Sequence, residues 1–221
     1  MDLKFDPKVA FISGSTKGIG FTIARLLALE GARVIVNGRS DSAVSEAIAR
    51  IEVSAPGAQV HGFGGDLSTA DVAGALASRF PQVDILVNNL GIFEREAFDQ
   101  IADADWQRYF KVNVMSGVRL ARAYLPGIKQ RDWGRIVFIS SESGIQIPGD
   151  MIHYGMTKTA QLAVSRGLAE TCAGTGVTVN AVLPGPTLSD GNRAAIARRA
   201  PGKPIDEVEK EFLRRCGRAP C

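Results

Sequence analysis

The chain has 221 residues, 45 % hydrophobic, 22 % charged and 7 % aromatic, which excludes a disordered chain. Its 24 glycines and 10 prolines show no three-residue period, which excludes collagen, and no run of about 18 apolar residues marks a membrane span. The net charge of +3 is uneven: residues 193–221 hold eight basic and four acidic side chains, and no basic patch is interleaved with aromatics, so no nucleic-acid partner is expected. Three cysteines, Cys172, Cys216 and Cys221, have no metal-type spacing; reduced thiols in a cytoplasmic protein without a metal are expected.

Short apolar strands alternate with longer helical patterns. Val9 to Ile12 is a strand that ends at Ser13-Gly14, and a helix of about 19–30 stops at Gly31. Val34 to Val36, Val60 to Phe63 and Ile85 to Val87 are further strands, separated by helices of about 41–53 and 69–79. The second of these helices starts at Ser68 or Thr69. A long helix of about 104–129, a strand from Ile136 to Ile139, a helix of about 154–173 and a strand from Val177 to Leu183 complete the pattern. Continuous apolar runs mark strands buried on both faces. The fold class is therefore α/β, a single doubly wound domain over 1–221 with a parallel sheet between helical layers.

The turn after the first strand reads Gly14-Ser15-Thr16-Lys17-Gly18-Ile19-Gly20. Glycines there permit a tight turn and close approach to a pyrophosphate, which the following helix N-terminus attracts. A plain turn is the alternative. At the end of the second strand stands Asn37-Gly38-Arg39-Ser40, where a carboxylate would select NAD(H). Arg39, with Lys17, instead suits the 2′-phosphate of NADP(H), the alternative being a solvated loop arginine.

Tyr154 and Lys158 are one helical turn apart. An ammonium beside a phenol lowers the phenol pKa and fits it for proton exchange with a substrate oxygen, whereas a surface pair is the plainer reading. Ser141 follows a buried strand, at the edge where ligands bind in such sheets. Asn113 falls inside the apolar stripe of Trp106, Phe110, Gly117, Leu120 and Tyr124, either as a satisfied core amide or as a link in a proton chain. Ile145, Gln146, Ile147, Met151, Ile152 and His153 are expected to border an apolar pocket, with His153 more a packing residue than a catalyst.

Together with Asp66-Leu67, Asn88-Asn89-Leu90-Gly91 and Pro184-Gly185, these pieces resemble the short-chain dehydrogenase/reductase family in order and spacing, over about residues 8–190, and among its members the 3-oxoacyl-carrier-protein reductases. The resemblance implies a Rossmann-type fold and an NADP(H)-dependent hydride transfer between the nicotinamide and a carbonyl or secondary alcohol. It implies Tyr154 as general acid and base, Lys158 on the nicotinamide ribose, Ser141 on the carbonyl and Asn113 in a proton relay. Gly14 to Gly20, Arg39, Asp66, Leu67, Asn89, Gly91, Tyr154, Lys158 and Thr187 would meet the coenzyme. A homodimer or homotetramer through the helices carrying Asn113 and Tyr154 is implied too.

Two departures stand out. Leu90 replaces an alanine of the family motif and adds bulk near the coenzyme. No β-type run follows Leu183, so the family's last strand is expected to be missing, with 186–203 as a substrate lid and 204–221 as an atypical tail. That end motivates a second reading, a catalytically poor nucleotide-binding or scaffold protein, which NADPH binding without turnover would mark.

Overall fold

The computed structural model describes Phe5, residues 7–187 and Glu207. The chain divides into two compact units, Met1–Gly185 and Pro186–Cys221. The expected lid and tail fall in the second, almost wholly outside the described residues.

In the first unit, strands β1 (Val9–Ile12), β2 (Arg33–Gly38), β3 (Val60–Gly64), β4 (Ile85–Asn88), β5 (Gly134–Ile139) and β6 (Val177–Val182) form one sheet in the order β3-β2-β1-β4-β5-β6. Every pairing is parallel. Helices α1 (Gly18–Leu29), α2 (Asp41–Ser54), α3 (Ala70–Arg79), α4 (Asp103–Tyr109), α5 (Ser116–Gln130) and α6 (Ile152–Thr171) connect them.

The strand sequences explain the layering. Alternate residues point to opposite faces. Phe11 pairs in register with Ile35 and Leu86, and all three join the core beneath α3, α5 and α6. Their neighbours Ala10, Ile12, Val34, Val36, Ile85 and Val87 join the opposite core beneath α1 and α2. Strands apolar on both faces can be covered only by helices on both sides, which gives a Rossmann-type three-layer sandwich. Each large side chain so buried stabilises the fold by roughly 1.5–3 kcal/mol.

The strand order reverses between β1 and β4. This brings the turn after β1 beside the segment after β4, the position where doubly wound sheets open a crevice.

The expected long helix differs in one respect. Between α4 and α5 lies a π-helical turn, Phe110–Met115. Its wider bonding rotates the helix face relative to an α-helix. Phe110, expected in the buried stripe, is turned outward, and Tyr109 is buried in its stead. Asn113, Gly117, Leu120 and Tyr124 are buried as the stripe requires.

Candidate active site

The turn after β1 carries the backbone that only glycine adopts readily: φ is +63° at Gly14 and +60° at Gly18. A Cβ at Gly20 would lie 2.4 Å from Asn89 Nδ2 and 2.6 Å from the Gly14 carbonyl oxygen, so α1 approaches the turn as closely as a missing side chain allows. No side chain caps the first turn of α1, and that turn holds no acidic residue. Its N–H groups and the positive end of its dipole therefore face the crevice without competition from a carboxylate.

The segment after β4 is fastened to this turn. Asn89 Nδ2 donates to the carbonyls of Ser13 and Gly14 at 2.9 and 3.0 Å, and the main-chain nitrogens of Asn89 and Leu90 both donate to Ser13 Oγ at 2.9 Å. The other end of the segment is held by Asn113. Asn113 Oδ1 accepts from the Ile92 N–H at 2.8 Å, and Nδ2 donates to the Ile92 carbonyl and to Thr157 Oγ1, each at 3.0 Å. Thr157 Oγ1 in turn donates to the Tyr154 carbonyl at 2.7 Å. The buried amide thus ties the loop after β4 to α6 at the turn that carries Tyr154.

Ser141, Tyr154 and Lys158 meet at the carboxyl end of β5. The Ser141 hydroxyl acts on the Tyr154 phenol, and Ser141 Oγ also accepts from the Ser143 N–H at 3.1 Å. Lys158 Nζ lies 5.5 Å from the centre of the Tyr154 ring. It donates to the Ile139 carbonyl at 2.8 Å and to Gln161 Oε1 at 3.1 Å. Burial lowers the Lys158 pKa to about 8. A Cβ at Gly91 would sit 3.5 Å from Asn113 Oδ1 and 3.6 Å from Lys158 Nζ, so Gly91 closes the site against the ammonium.

Residues 8–200 match the short chain dehydrogenase family model. The chain belongs to that family. An uncharacterised oxidoreductase of Bacillus subtilis, YvaG, is 44 % identical over 216 residues, covering 97 % of this chain and 82 % of that protein. The 3-oxoacyl-acyl-carrier-protein reductase FabG of Escherichia coli is 31 % identical over 206 residues, covering 90 % of this chain and 84 % of that one. L-sorbose reductase of Gluconobacter frateurii, solved in complex with NADPH and L-sorbose, superposes with a TM-score of 0.86 at 32 % identity, over 93 % of this chain and 80 % of that one.

Within this short chain dehydrogenase the residues singled out from sequence fall into two groups. Gly14, Gly18, Gly20, Gly91, Asn113, Ser141, Tyr154 and Lys158 lie around the crevice. Others have different partners. The Ser15 hydroxyl is wholly buried, donating to the Ile12 carbonyl at 2.7 Å and accepting from the Asn37 N–H at 2.9 Å, so it braces the turn. The Leu67 side chain is 1 % exposed and packs in the core. Asp66 Oδ1 accepts from the Ser68 N–H at 2.9 Å, which shapes the turn before α3. Thr16 and Ile19 are half-buried, Lys17 and Arg39 are exposed, and Thr187 belongs to the second unit. Leu90 fills space against the core and beside Gly14.

One expectation needs correction. Tyr154 has a raised pKa, with burial the leading cause, the Ser141 bond opposing it and the Glu142 carboxylate adding to it. The Lys158 ammonium, 5.5 Å from the ring centre, does not offset that burial. Both amide hydrogens of Asn113 go to Ile92 and Thr157, so the buried amide is satisfied. Met151 and His153 are buried, and the His153 ring packs edge-on to Tyr109 with centroids 4.2 Å apart.

Phe93, whose ring meets Tyr154 edge-on at 6.2 Å, and Gln161 were not read from sequence. The signal for Gln161 is its position three residues beyond Lys158 on the same helix.

Proposed function

We propose that this short chain dehydrogenase is an NADP(H)-dependent reductase of a carbonyl compound, or a dehydrogenase of the matching secondary alcohol, with Tyr154 as the acid and base. The observation that carries the reading is the meeting of Ser141, Tyr154 and Lys158 at the end of β5, across the crevice from the glycine turn.

The residues fit a nicotinamide dinucleotide. The positive-φ glycines and the uncapped start of α1 suit its pyrophosphate. A Cβ at Gly38 would lie 2.4 Å from Thr16 Cγ2, so an acidic side chain at the end of β2 has no room unless Thr16 moves. Arg39 and Lys17 are exposed cations at the same end, the arrangement that favours a 2′-phosphate. L-sorbose reductase, the solved structure described above, holds NADPH, which supports the same choice.

Bound there, the coenzyme supplies the hydride, and the protein supplies position, charge and a proton. With its pKa raised by burial, Tyr154 is a neutral phenol near pH 7 and holds the proton that a reduced carbonyl oxygen requires. Ser141 holds the phenol hydroxyl and positions the carbonyl oxygen next to it. Lys158, charged at neutral pH, stabilises the phenolate as the proton leaves and binds the nicotinamide ribose. Asn113 fixes the loop after β4 and the first turn of α6, so that Gly91 and Tyr154 keep their spacing. The same proposal includes a homodimer or homotetramer built on the helices carrying Asn113 and Tyr154, beside which Phe98 and Phe110 are exposed.

The test uses NADPH labelled with deuterium at its transferable position and a panel of small carbonyl compounds. Deuterium recovered on the carbonyl carbon of a product supports the reading. Tight NADPH binding with no transfer to any compound favours the nucleotide-binding or scaffold alternative.

A further inference from the structure

Gln161 lies on α6 three residues after Lys158 and is 2 % exposed. Its Oε1 accepts from the Lys158 ammonium at 3.1 Å, and its Nε2 donates to the main-chain carbonyl of Asn113 at 2.7 Å. Chemistry forces this orientation, because an ammonium only donates and a carbonyl only accepts. The carbonyl belongs to the π-helical turn Phe110–Met115, where the regular α-helical bonding pattern is interrupted. A buried carbonyl left there without a partner would be costly. One side chain therefore bonds both the irregular turn and the ammonium of the site.

We infer that Gln161 is a positioning residue for the reaction, clamping the Lys158 ammonium to the π-helical turn that carries Asn113. The inference rests on the reading of Tyr154 and Lys158 as the acting pair. An ammonium has three hydrogens. One goes to the Ile139 carbonyl and one to Gln161, which leaves the third for the side of Tyr154 and Gly91. Both acceptors favour the charged form and oppose the burial that pulls the Lys158 pKa down. The bridge is a carboxamide, which holds both ends in place but passes no proton between them as a water would.

The electrostatic surroundings make the clamp testable. On α6 the titratable neighbour of Lys158 is Tyr154, and Glu142, after β5, acts on Tyr154. From β5, the loop after β4 and the π-helical turn, the groups facing Lys158 are the neutral Ile139 carbonyl, Gly91 and Asn113, while Lys111 of that turn is exposed.

The experiment compares the full-length parent with Gln161→Met and Gln161→Glu. The Lys158 amine is titrated by pH-dependent acetylation with acetic anhydride, read by mass spectrometry of the peptide that contains it. Alcohol oxidation with NADP is followed over the same pH range. Met removes an acceptor from the ammonium and should lower the Lys158 titration and the alkaline limb of oxidation by about one pH unit. Glu places a carboxylate against the ammonium and should move both upward. Should the Met variant fail to fold, the Glu variant, which keeps an acceptor toward Lys158, carries the test alone. A Lys158 titration unmoved in the folded variants overturns the inference. The titration needs no turnover, so an inactive parent would count against the proposed reaction while the clamp is still decided by the amine.

Discussion

Replacing Asn113 with alanine removes three hydrogen bonds, to the Ile92 N–H at 2.8 Å, the Ile92 carbonyl at 3.0 Å and Thr157 Oγ1 at 3.0 Å. Asn113 is 1 % exposed, so no water replaces it readily. A stranded buried polar group costs about 1–3 kcal/mol, and the half-buried Ile92 groups fall at the low end of that range. The sum is roughly 3 kcal/mol, which lowers Tm by about 10 °C in a domain of this size. Urea unfolding with an unchanged m-value measures the loss. Thr157→Val alone and combined with Asn113→Ala completes a double-mutant cycle, whose coupling should be about 1 kcal/mol. A destabilisation below about 0.5 kcal/mol, or no coupling, refutes the brace. Activity lost at unchanged stability would point to a chemical role for the amide.

Two further outcomes follow from residues away from the phenol. Arg39→Asp should cut the NADPH-over-NADH binding preference by about 10- to 100-fold, the loss of a charge-assisted bond, as read by fluorescence titration; equal weakening toward both coenzymes contradicts the assignment. His153 has a pKa lowered below 6.5, chiefly by burial, with Asp105 and Glu94 opposing. The folded state therefore binds fewer protons than the unfolded one, and the stability this provides is present above pH 6.5 and lost as pH falls below it. His153→Phe should flatten the stability-pH curve on that acid side relative to the parent, and an identical slope would contradict the burial argument.

The sheet was legible in the sequence because its strands are buried on both faces, so Val9 to Ile12 or Ile85 to Val87 could serve no other purpose in a chain of this pattern. Glycine, serine, tyrosine and lysine positions were legible because backbone geometry and proton chemistry restrict the residue type. Less could be read where tertiary contacts decide. A run of residues from 104 to 129 with helical spacing hides a π-helical turn, since one widened turn leaves composition unchanged; Phe110 and Tyr109 exchange places as a result. Ser15 and Leu67 match the coenzyme motifs by position, yet their side chains are drawn into the interior by Asn37 and by the core. Gln161 has only its spacing from Lys158 to mark it in sequence, because its second partner is a carbonyl 48 positions away. The direction of the Tyr154 pKa depends on burial, which spacing alone does not report.

Tyr154→Phe removes one oxygen and leaves the glycine turn, Lys158 and the ring contact with Phe93 in place. Single-turnover hydride transfer from NADPH to a carbonyl substrate, with coenzyme affinity measured alongside, tests the central claim most directly. The account predicts a rate lower by about 10²- to 10⁴-fold at nearly unchanged NADPH affinity. A variant that transfers hydride as fast as the parent would contradict it.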